Sequence, residues 1–201
     1  MKPWEELTDF QQRLHPRRLD MAEADYSGKP LPADPQFLAD RLTIINHVTA
    51  YSFLIDEARW EQWFALFADD ILFETTVPCF GTIRAKGRAA FEEFVNLRFR
   101  PPGSEISTMI HRHHMGNIHV CEQSETTARV RTYMLVTDVP EEGGFKPLTS
   151  GTYNATLEKR DGRWLFTRFY IEVDAPVRKS TIPEGAGNSL EFIPDDRPEC
   201  A

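Results

Sequence analysis

The sequence has few cysteines, no long apolar run and no excess of basic residues. Its three cysteines, Cys79, Cys121 and Cys200, are an odd set without a C-x-x-C spacing, so we expect neither a disulfide framework nor a thiolate zinc site. A membrane span needs about 18 consecutive apolar residues, and no stretch reaches that length. The N-terminus also lacks the apolar core of a signal peptide. The expectation is a soluble protein of the reducing cytoplasm.

The charge balance excludes two classes of partner. The chain carries 31 acidic and 23 basic side chains among 201 residues, a formal net charge of −8. A protein that binds nucleic acid or an anionic membrane needs a basic face, so neither is an expected partner. Hydrophobic residues make up 41% of the chain and aromatic residues 11%, which is globular composition and argues against disorder of the whole chain.

Proline positions predict the edges of the domain. Nine of the fourteen prolines lie before residue 36 or after residue 173. We therefore expect a compact domain over 34–175, with an N-terminal arm over 1–33 and a C-terminal arm over 176–201. These arms are expected to pack on the domain or on a neighbouring subunit.

The periodicity predicts helices first and a series of hairpins afterwards. Asp34-Pro35 is a strong helix start, and two adjacent apolar stripes predict that the following helix, to about residue 57, is largely enclosed. Asp161-Gly162 is typical of a type I′ hairpin. The order α-α-β-α-β-β-β-β predicts an α+β fold, in which a cone-shaped, curved antiparallel sheet wraps around the long first helix and encloses a pocket. The elements after that helix are a short helix from Trp60, a strand Ile71–Thr75, a helix Arg88–Phe99, and strands Thr108–Cys121, Thr127–Val139, Leu148–Lys159 and Arg163–Val173.

Four histidines lie within nine residues of a predicted strand: His111, His113, His114 and His119. His111 and His113 share one face of that strand, and His114 points to the other. The cluster is consistent with polar residues on the wet side of a sheet. H-x-H also resembles half of a cupin metal site, but no histidine follows residue 119 to complete it, so no metal is predicted.

Two residues near the end of the first helix are candidates for chemistry. Asp56 lies on the inward stripe and in the last helical turn, where the helix dipole disfavours a carboxylate, so it needs a cation or a hydrogen-bond donor. A histidine would fit, because the carboxylate fixes one ring nitrogen and leaves the other as a base. Tyr51 can donate a hydrogen bond to a substrate oxygen. The alternatives are an ordinary helix-end residue beside Glu57 and a core tyrosine.

Several motifs in a fixed order carry a resemblance to a known family. They are Tyr51-x-x-x-x-Asp56, Trp60 to Phe67 followed by Ala68-Asp69-Asp70, His113-His114-x-Gly116-Asn117, and Gly151-Thr152-Tyr153 leading to Glu158 through Trp164. Over about 36–175 the chain resembles the SnoaL-like branch of the nuclear transport factor 2-like superfamily, which includes scytalone dehydratase and bile acid 7α-dehydratase. Similar enzymes are cofactor-independent lyases built on an Asp and His pair, and Asp56 and His113 match that pair by position.

The resemblance implies acid–base chemistry without indicating one substrate. The leading hypothesis is a cofactor-independent lyase that acts on an apolar, hydroxylated, aromatic small molecule by loss of water or by retro-aldol cleavage. Asp56, His113 and Tyr51 would be catalytic, and Asp138, His111 and Met134 would bind substrate. The alternatives are a non-catalytic binding or assembly subunit, such as a ring-hydroxylating dioxygenase small subunit, and an isomerase of the same fold. The last predicted strand has apolar residues at both odd and even positions, which predicts burial on both of its faces. We therefore expect a homo-oligomer, a trimer in preference to a dimer.

Overall fold

The computed structural model describes residues 28–99, 110–139, 144, 146–174 and 189–195. The described chain begins with two helices, continues as a strand pair and a third helix, and ends in five further strands. In chain order these are α1 (Pro35–Asp56), α2 (Trp60–Phe64), β1 (Phe67–Val77), β2 (Gly81–Lys86), α3 (Gly87–Phe99), β3 (Ile110–Gln123), β4 (Thr127–Val139), β5 (Lys146–Arg160), β6 (Arg163–Val173) and β7 (Leu190–Pro194).

Helix α1 begins where the sequence predicts and buries one face. The Asp34 side chain accepts a hydrogen bond from the Phe37 backbone amide at 2.7 Å, and Pro35 occupies the first turn. Its buried residues include Ile44, Val48, Tyr51 and Ile55. The prediction of a largely enclosed helix is wrong, because Leu42 is 64% exposed and Phe53 62% exposed on the opposite side.

The seven strands form one sheet in the order β3-β4-β5-β6-β1-β2-β7. The α+β class and the curved sheet packed on the first helix are confirmed. Five of the six strand pairs are antiparallel, but β1 pairs with β6 in parallel, so the sheet is mixed. Strands β2 and β7 were not predicted, and β7 lies within the segment 176–201 that the sequence suggests is an arm.

The hairpin between β5 and β6 has the predicted geometry. Asp161 has a φ of 51° and Gly162 a φ of 77°, which are the positive values that a type I′ turn requires at both central residues. The turn sets the β5–β6 register, in which Arg160 lies opposite Arg163.

A β-bulge accounts for part of the apolar pattern at both odd and even positions of β6. Phe166 pairs with Leu157 and Arg168 pairs with Thr156, so Thr167 is an extra residue that shifts the alternation by one. Trp164 and Phe166 are buried before the bulge, and Phe169 is buried after it. Beyond the bulge the outer face carries Arg168, Tyr170 and Glu172. Tyr170 is buried and the other two are half-buried, so the expected burial on both faces of β6 is met in part.

The core lies between α1, α3 and the inner face of the sheet and is rich in aromatic rings. Phe67, Phe91, Phe166 and Phe169 are fully buried, and their ring centroids lie about 5 to 6 Å from neighbouring rings. This packing anchors α1 against the sheet and holds the C-terminal end of α1 beside β3.

The cysteines differ from the expectation of a fully reduced chain. Cys79, in the turn between β1 and β2, is disulfide-bonded, and Cys121 is a free thiol. Cys200 lies outside the described residues. The number and spacing of the three cysteines do not predict this bond, because neither says which cysteines meet in the fold. Within the described residues no helix combines the length and the apolar character of a membrane span.

Candidate active site

Asp56 and His113 are in direct contact. One carboxylate oxygen of Asp56 lies 2.5 Å from Nδ1 of His113, and the other accepts the backbone N–H of His113 at 2.9 Å. Both side chains are almost buried, with 9% of Asp56 and 13% of His113 exposed. Because Asp56 accepts at both atoms, Nδ1 carries the proton and Nε2 keeps its lone pair in the neutral ring.

The position of Asp56 is unfavourable for the helix alone. It is the last residue of α1, and no basic residue lies in the last turn. A carboxylate there faces the negative end of the helix dipole, a cost of about 0.3–1 kcal/mol at an exposed site. The two hydrogen bonds from His113 offset this cost, so the contact between α1 and β3 is what accommodates Asp56.

Tyr51 lies one helical turn earlier, in the aromatic core beside the pair. It is 2% exposed, its ring stacks on Phe169 with centroids 4.7 Å apart, and it meets the His113 ring edge to face at 6.5 Å. Burial, together with the neighbouring Tyr153 hydroxyl and the Asp56 charge, raises the pKa of Tyr51 well above its ordinary value. The phenol is therefore neutral and remains a hydrogen-bond donor at physiological pH.

His111 and Asp138 form a second histidine–carboxylate contact. They lie opposite each other on β3 and β4, with Nδ1 of His111 2.5 Å from a carboxylate oxygen of Asp138. Asp138 is buried, with 8% of its side chain exposed, whereas 38% of His111 is exposed. The two atoms are close but miss the direction of a good hydrogen bond, and within the described residues neither has another hydrogen-bond partner. The contact is an ion pair when His111 is protonated.

The remaining predicted residues lie apart from these contacts or beside them. Met134 is buried on the inner face of β4, opposite Met115 on β3. His114 points to the other face, where Nε2 lies 3.0 Å from the Thr137 hydroxyl. His119 is half-buried and pairs with Arg131 in the strand register.

A cleft of about 420 Å³ lies elsewhere on the sheet, lined by Asn117, Ile118, His119, Arg131, Thr132 and Tyr133. It contains neither Asp56 nor His113. We identify the candidate site by its polar contacts, because a proton-transfer site is defined by which titratable groups meet. In the described part of the chain, no three metal-ligating side chains converge.

Comparison with known proteins identifies the family. A family model for the SnoaL-like domain matches residues 36–170, about two thirds of the chain. The chain belongs to the SnoaL-like family. No match was found among curated proteins. The resemblance drawn from the motifs around Asp56 and His113 is thereby confirmed.

Solved structures share the fold of this chain. A candidate scytalone dehydratase from Novosphingobium aromaticivorans is 28% identical to the SnoaL-like chain, with a TM-score of 0.53 over 69% of this chain and 86% of that one. An NTF2-like protein with a cystatin-like fold from the same organism is 21% identical, with a TM-score of 0.54 over 74% and 89%. The beta subunit of a candidate aromatic-ring-hydroxylating dioxygenase, also from Novosphingobium aromaticivorans, is 17% identical, with a TM-score of 0.57 over 69% and 91%.

Sequence reasoning missed two features of this site. It named His111 and Asp138 separately and did not pair them, because the pairing depends on the β3–β4 register. It also left Tyr153 out, although the Tyr153 ring lies 5.4 Å from Tyr51 and the two hydroxyls interact. Alternation along the predicted strand places Tyr153 on the inner face, so that signal was present.

Proposed function

We propose that this SnoaL-like protein is a cofactor-independent lyase that removes a proton with His113 and expels an oxygen leaving group from a small hydroxylated substrate. The observation that carries the proposal is the double acceptance by Asp56 from His113. Orienting the ring and fixing its tautomer is what a carboxylate does for a histidine base. A histidine with a purely structural role needs no such arrangement.

The reaction follows from where the base can act. In a dehydration, Nε2 of His113 takes a proton from carbon, the C–H electrons form the double bond, and the C–O bond breaks. The departing hydroxyl must take up a second proton to leave as water. In the retro-aldol variant, Nε2 takes the hydroxyl proton and the adjacent C–C bond breaks, with the electrons held as an enolate. Asp56 stays ionised in both variants and stabilises the imidazolium that forms.

Tyr51 is proposed to polarise a substrate oxygen. Its raised pKa keeps the proton on the phenol, and a neutral donor in a water-poor site stabilises charge that develops on a carbonyl or enolate oxygen. Tyr153 shares the same environment, and burial raises its pKa as well. The two hydroxyls are hydrogen-bonded to each other, so one O–H is used between them and the other is left to donate to the substrate oxygen.

The proposed substrate is apolar and aromatic. The inner face of the sheet beside His113 carries Met115, Met134 and Val136, which offer thioether and aliphatic surface and few polar groups. The SnoaL-like family includes dehydratases and isomerases, and one structural neighbour at 28% identity is a candidate scytalone dehydratase. Met134 and the two residues of the His111–Asp138 contact are proposed to contact the substrate.

The test is a screen of hydroxylated aromatic compounds for loss of water or of an aldehyde, run on the wild type, His113→Ala and Asp56→Asn. We expect both variants to lose most of the turnover while their melting temperatures stay within a few degrees of the wild type. His114→Ala, from the opposite face of the same strand, is the matched control and should keep full activity. Equal activity in His113→Ala and the wild type would refute the base assignment.

A second candidate function is that of an assembly subunit, which the dioxygenase beta-subunit neighbour favours. That likeness, at 17% identity, concerns the fold, and such a subunit does not need a buried Asp–His pair. We propose self-association for the same chain, with a trimer preferred, because Tyr133, Leu135 and Val139 expose 39–58% of their surface on the outer face of β4. Co-purification with a larger oxygenase subunit would favour the assembly role, whereas a 23.2 kDa particle in light scattering would exclude the oligomer.

A further inference from the structure

We infer that His111, held by Asp138, is the acid that protonates the leaving oxygen in the proposed reaction. This inference rests on the proposed function, since it assigns the second proton transfer of the same elimination. It extends the sequence-based prediction, in which both residues only bind substrate.

The spacing of the two histidines fits a base and an acid that act on one substrate. His111 and His113 are two residues apart on one face of β3, so their Cβ atoms are separated by about 6.6 Å at the usual rise of a strand. In an elimination, the proton removed and the oxygen expelled sit on adjacent carbons. Two histidines with that Cβ separation on one face can each approach one of those atoms from the same side.

The two rings have the same kind of neighbour, although only the His113–Asp56 contact has the direction of a good hydrogen bond. Each has its Nδ1 2.5 Å from a nearly buried carboxylate of a different element, Asp56 at the end of α1 and Asp138 on β4. Each therefore keeps Nε2 turned away from its carboxylate. The Asp138 carboxylate supplies a counter-charge to a protonated His111, which is the form in which the ring acts as an acid.

The difference in exposure separates the two roles. His113 is 13% exposed and His111 is 38% exposed, so His111 can exchange protons with solvent between turnovers. Both rings must exchange a proton with solvent in each cycle. The acid starts each cycle charged, which suits the more exposed ring, whereas a base with little exposure is protected from competing water.

The surroundings of Asp138 suggest a functional reason for its burial. Its Oδ1 is buried, yet within the described residues it makes no well-directed hydrogen bond, and a buried charged oxygen in that state is costly. In the strand register, Asp138 lies opposite His111 on β3 and the exposed Lys146 on β5. The other carboxylate on this side, Asp56 of α1, is hydrogen-bonded to His113. Asp138 is thus a positioning residue that acts through His111.

In the step itself, atoms and charges balance. Nε2 of His113 takes the C–H proton, the electrons of that bond form C=C, and the C–O bond electrons leave with oxygen. Nε2–H of a protonated His111 gives its proton to that oxygen, and water departs. His113 ends protonated and His111 neutral, and exchange with solvent restores both rings.

The test uses two probes that differ only in the leaving group, a β-hydroxy aryl ketone and its β-chloro analogue, with the enone product followed by absorbance. Chloride leaves without a proton, so the acid matters for the hydroxy probe alone. His111→Gln and Asp138→Asn should lose about 100-fold or more in kcat on the hydroxy probe relative to the chloro probe, the range of general acid catalysis. A lost substrate contact alone would lower both rates alike. His113→Gln should lose activity on both probes. His114→Gln, from the opposite face of β3, should keep its activity on both probes.

The outcomes separate this inference from the proposed function. A wild type that turns over neither probe overturns both. A wild type that turns over the hydroxy probe, together with a His111→Gln variant that does so equally well, overturns only the role of His111. Equal losses on both probes for His111→Gln assign His111 to structure or substrate binding, and a melting curve of the variant shows which of the two applies.

Discussion

Replacing Asp56 by asparagine should reverse the tautomer of His113. The carboxylate accepts two hydrogen bonds from one residue, from the backbone N–H at 2.9 Å and from Nδ1–H at 2.5 Å. An asparagine side chain has one acceptor oxygen and one NH2 donor. The backbone N–H cannot change its role, so the amide oxygen must face it. The NH2 group then faces Nδ1, which must become an acceptor, and the ring proton moves to Nε2.

The expected losses follow from that exchange. With Nε2 protonated, His113 cannot take a proton, and the loss of a general base costs about 10²- to 10⁴-fold in kcat/KM. Stability falls by less. Hydrogen bonds to a charged group contribute about 1.5–3 kcal/mol, and removal of a carboxylate from the end of α1 returns about 0.3–1 kcal/mol. A net loss of about 1–2 kcal/mol is expected, which is a few degrees in Tm for a domain of this size.

The tautomer can be measured without a substrate. Two-bond nitrogen–proton correlation spectra of histidine rings distinguish Nδ1–H from Nε2–H, and in the wild type at a pH where the ring is neutral we expect Nδ1–H at His113. Asp56→Asn should give Nε2–H. Glu57→Gln is the matched control, because it removes one carboxylate at the adjacent, exposed position and should leave the tautomer unchanged. An unchanged Nδ1–H tautomer in Asp56→Asn would refute the reasoning, whatever the activity.

Three further predictions concern pH and metal. Burial lowers the pKa of His47 to about 4, although its ring is hydrogen-bonded to the Leu66 carbonyl. Below pH 6.5 the unfolded chain therefore binds a proton at His47 that the folded chain does not bind. The wild type should therefore lose up to about 3 kcal/mol relative to His47→Gln between pH 6.5 and 4 in urea unfolding, and parallel pH curves would contradict this. Burial raises the pKa of Glu172 to about 7, so the folded chain keeps a proton that the unfolded chain releases above pH 4.5, and stability falls as pH rises through that window. Glu172→Gln should thus be more stable than the wild type at pH 8 but not at pH 4, as judged by Tm. Exhaustive chelation should leave turnover unchanged if His113 is an acid–base group, and one transition metal per chain in elemental analysis would count against that assignment.

The elements predicted from sequence are those with a local signal. Asp34-Pro35 marks the start of α1 and Asp161-Gly162 marks the β5–β6 hairpin, because capping and positive φ depend only on neighbouring residues. Strands β2 and β7 have six and five residues, and their stability comes from pairing with each other and with β1. Such short strands lack a periodicity that could be read before the sheet is known.

The bulge in β6 shows how a pattern misleads. One extra residue, Thr167, moves the inner-face positions from even to odd numbers, which accounts for part of the apolar pattern at both odd and even positions of β6. Tyr170, buried on the outer face, contributes the rest. The same limit applies to the site. The contact of Asp56 with His113 could be anticipated from the cost of a carboxylate at a helix end, whereas the contact of His111 with Asp138 depends on a register that no local signal sets.

The parallel pairing of β1 with β6 has a consequence for folding kinetics. The hairpins from β3 to β6 connect residues close in the chain, but β1 and β6 are separated by about 100 residues, as in the pairing of Phe73 with Phe169. Contacts of such long sequence separation form late and slow the folding rate. We therefore expect the hairpins to form first and the N-terminal third to dock afterwards. Asp56 lies in that late segment and His113 in the early one. We therefore expect the candidate active site to be assembled in the last stage of folding, together with the native β1–β6 pairing.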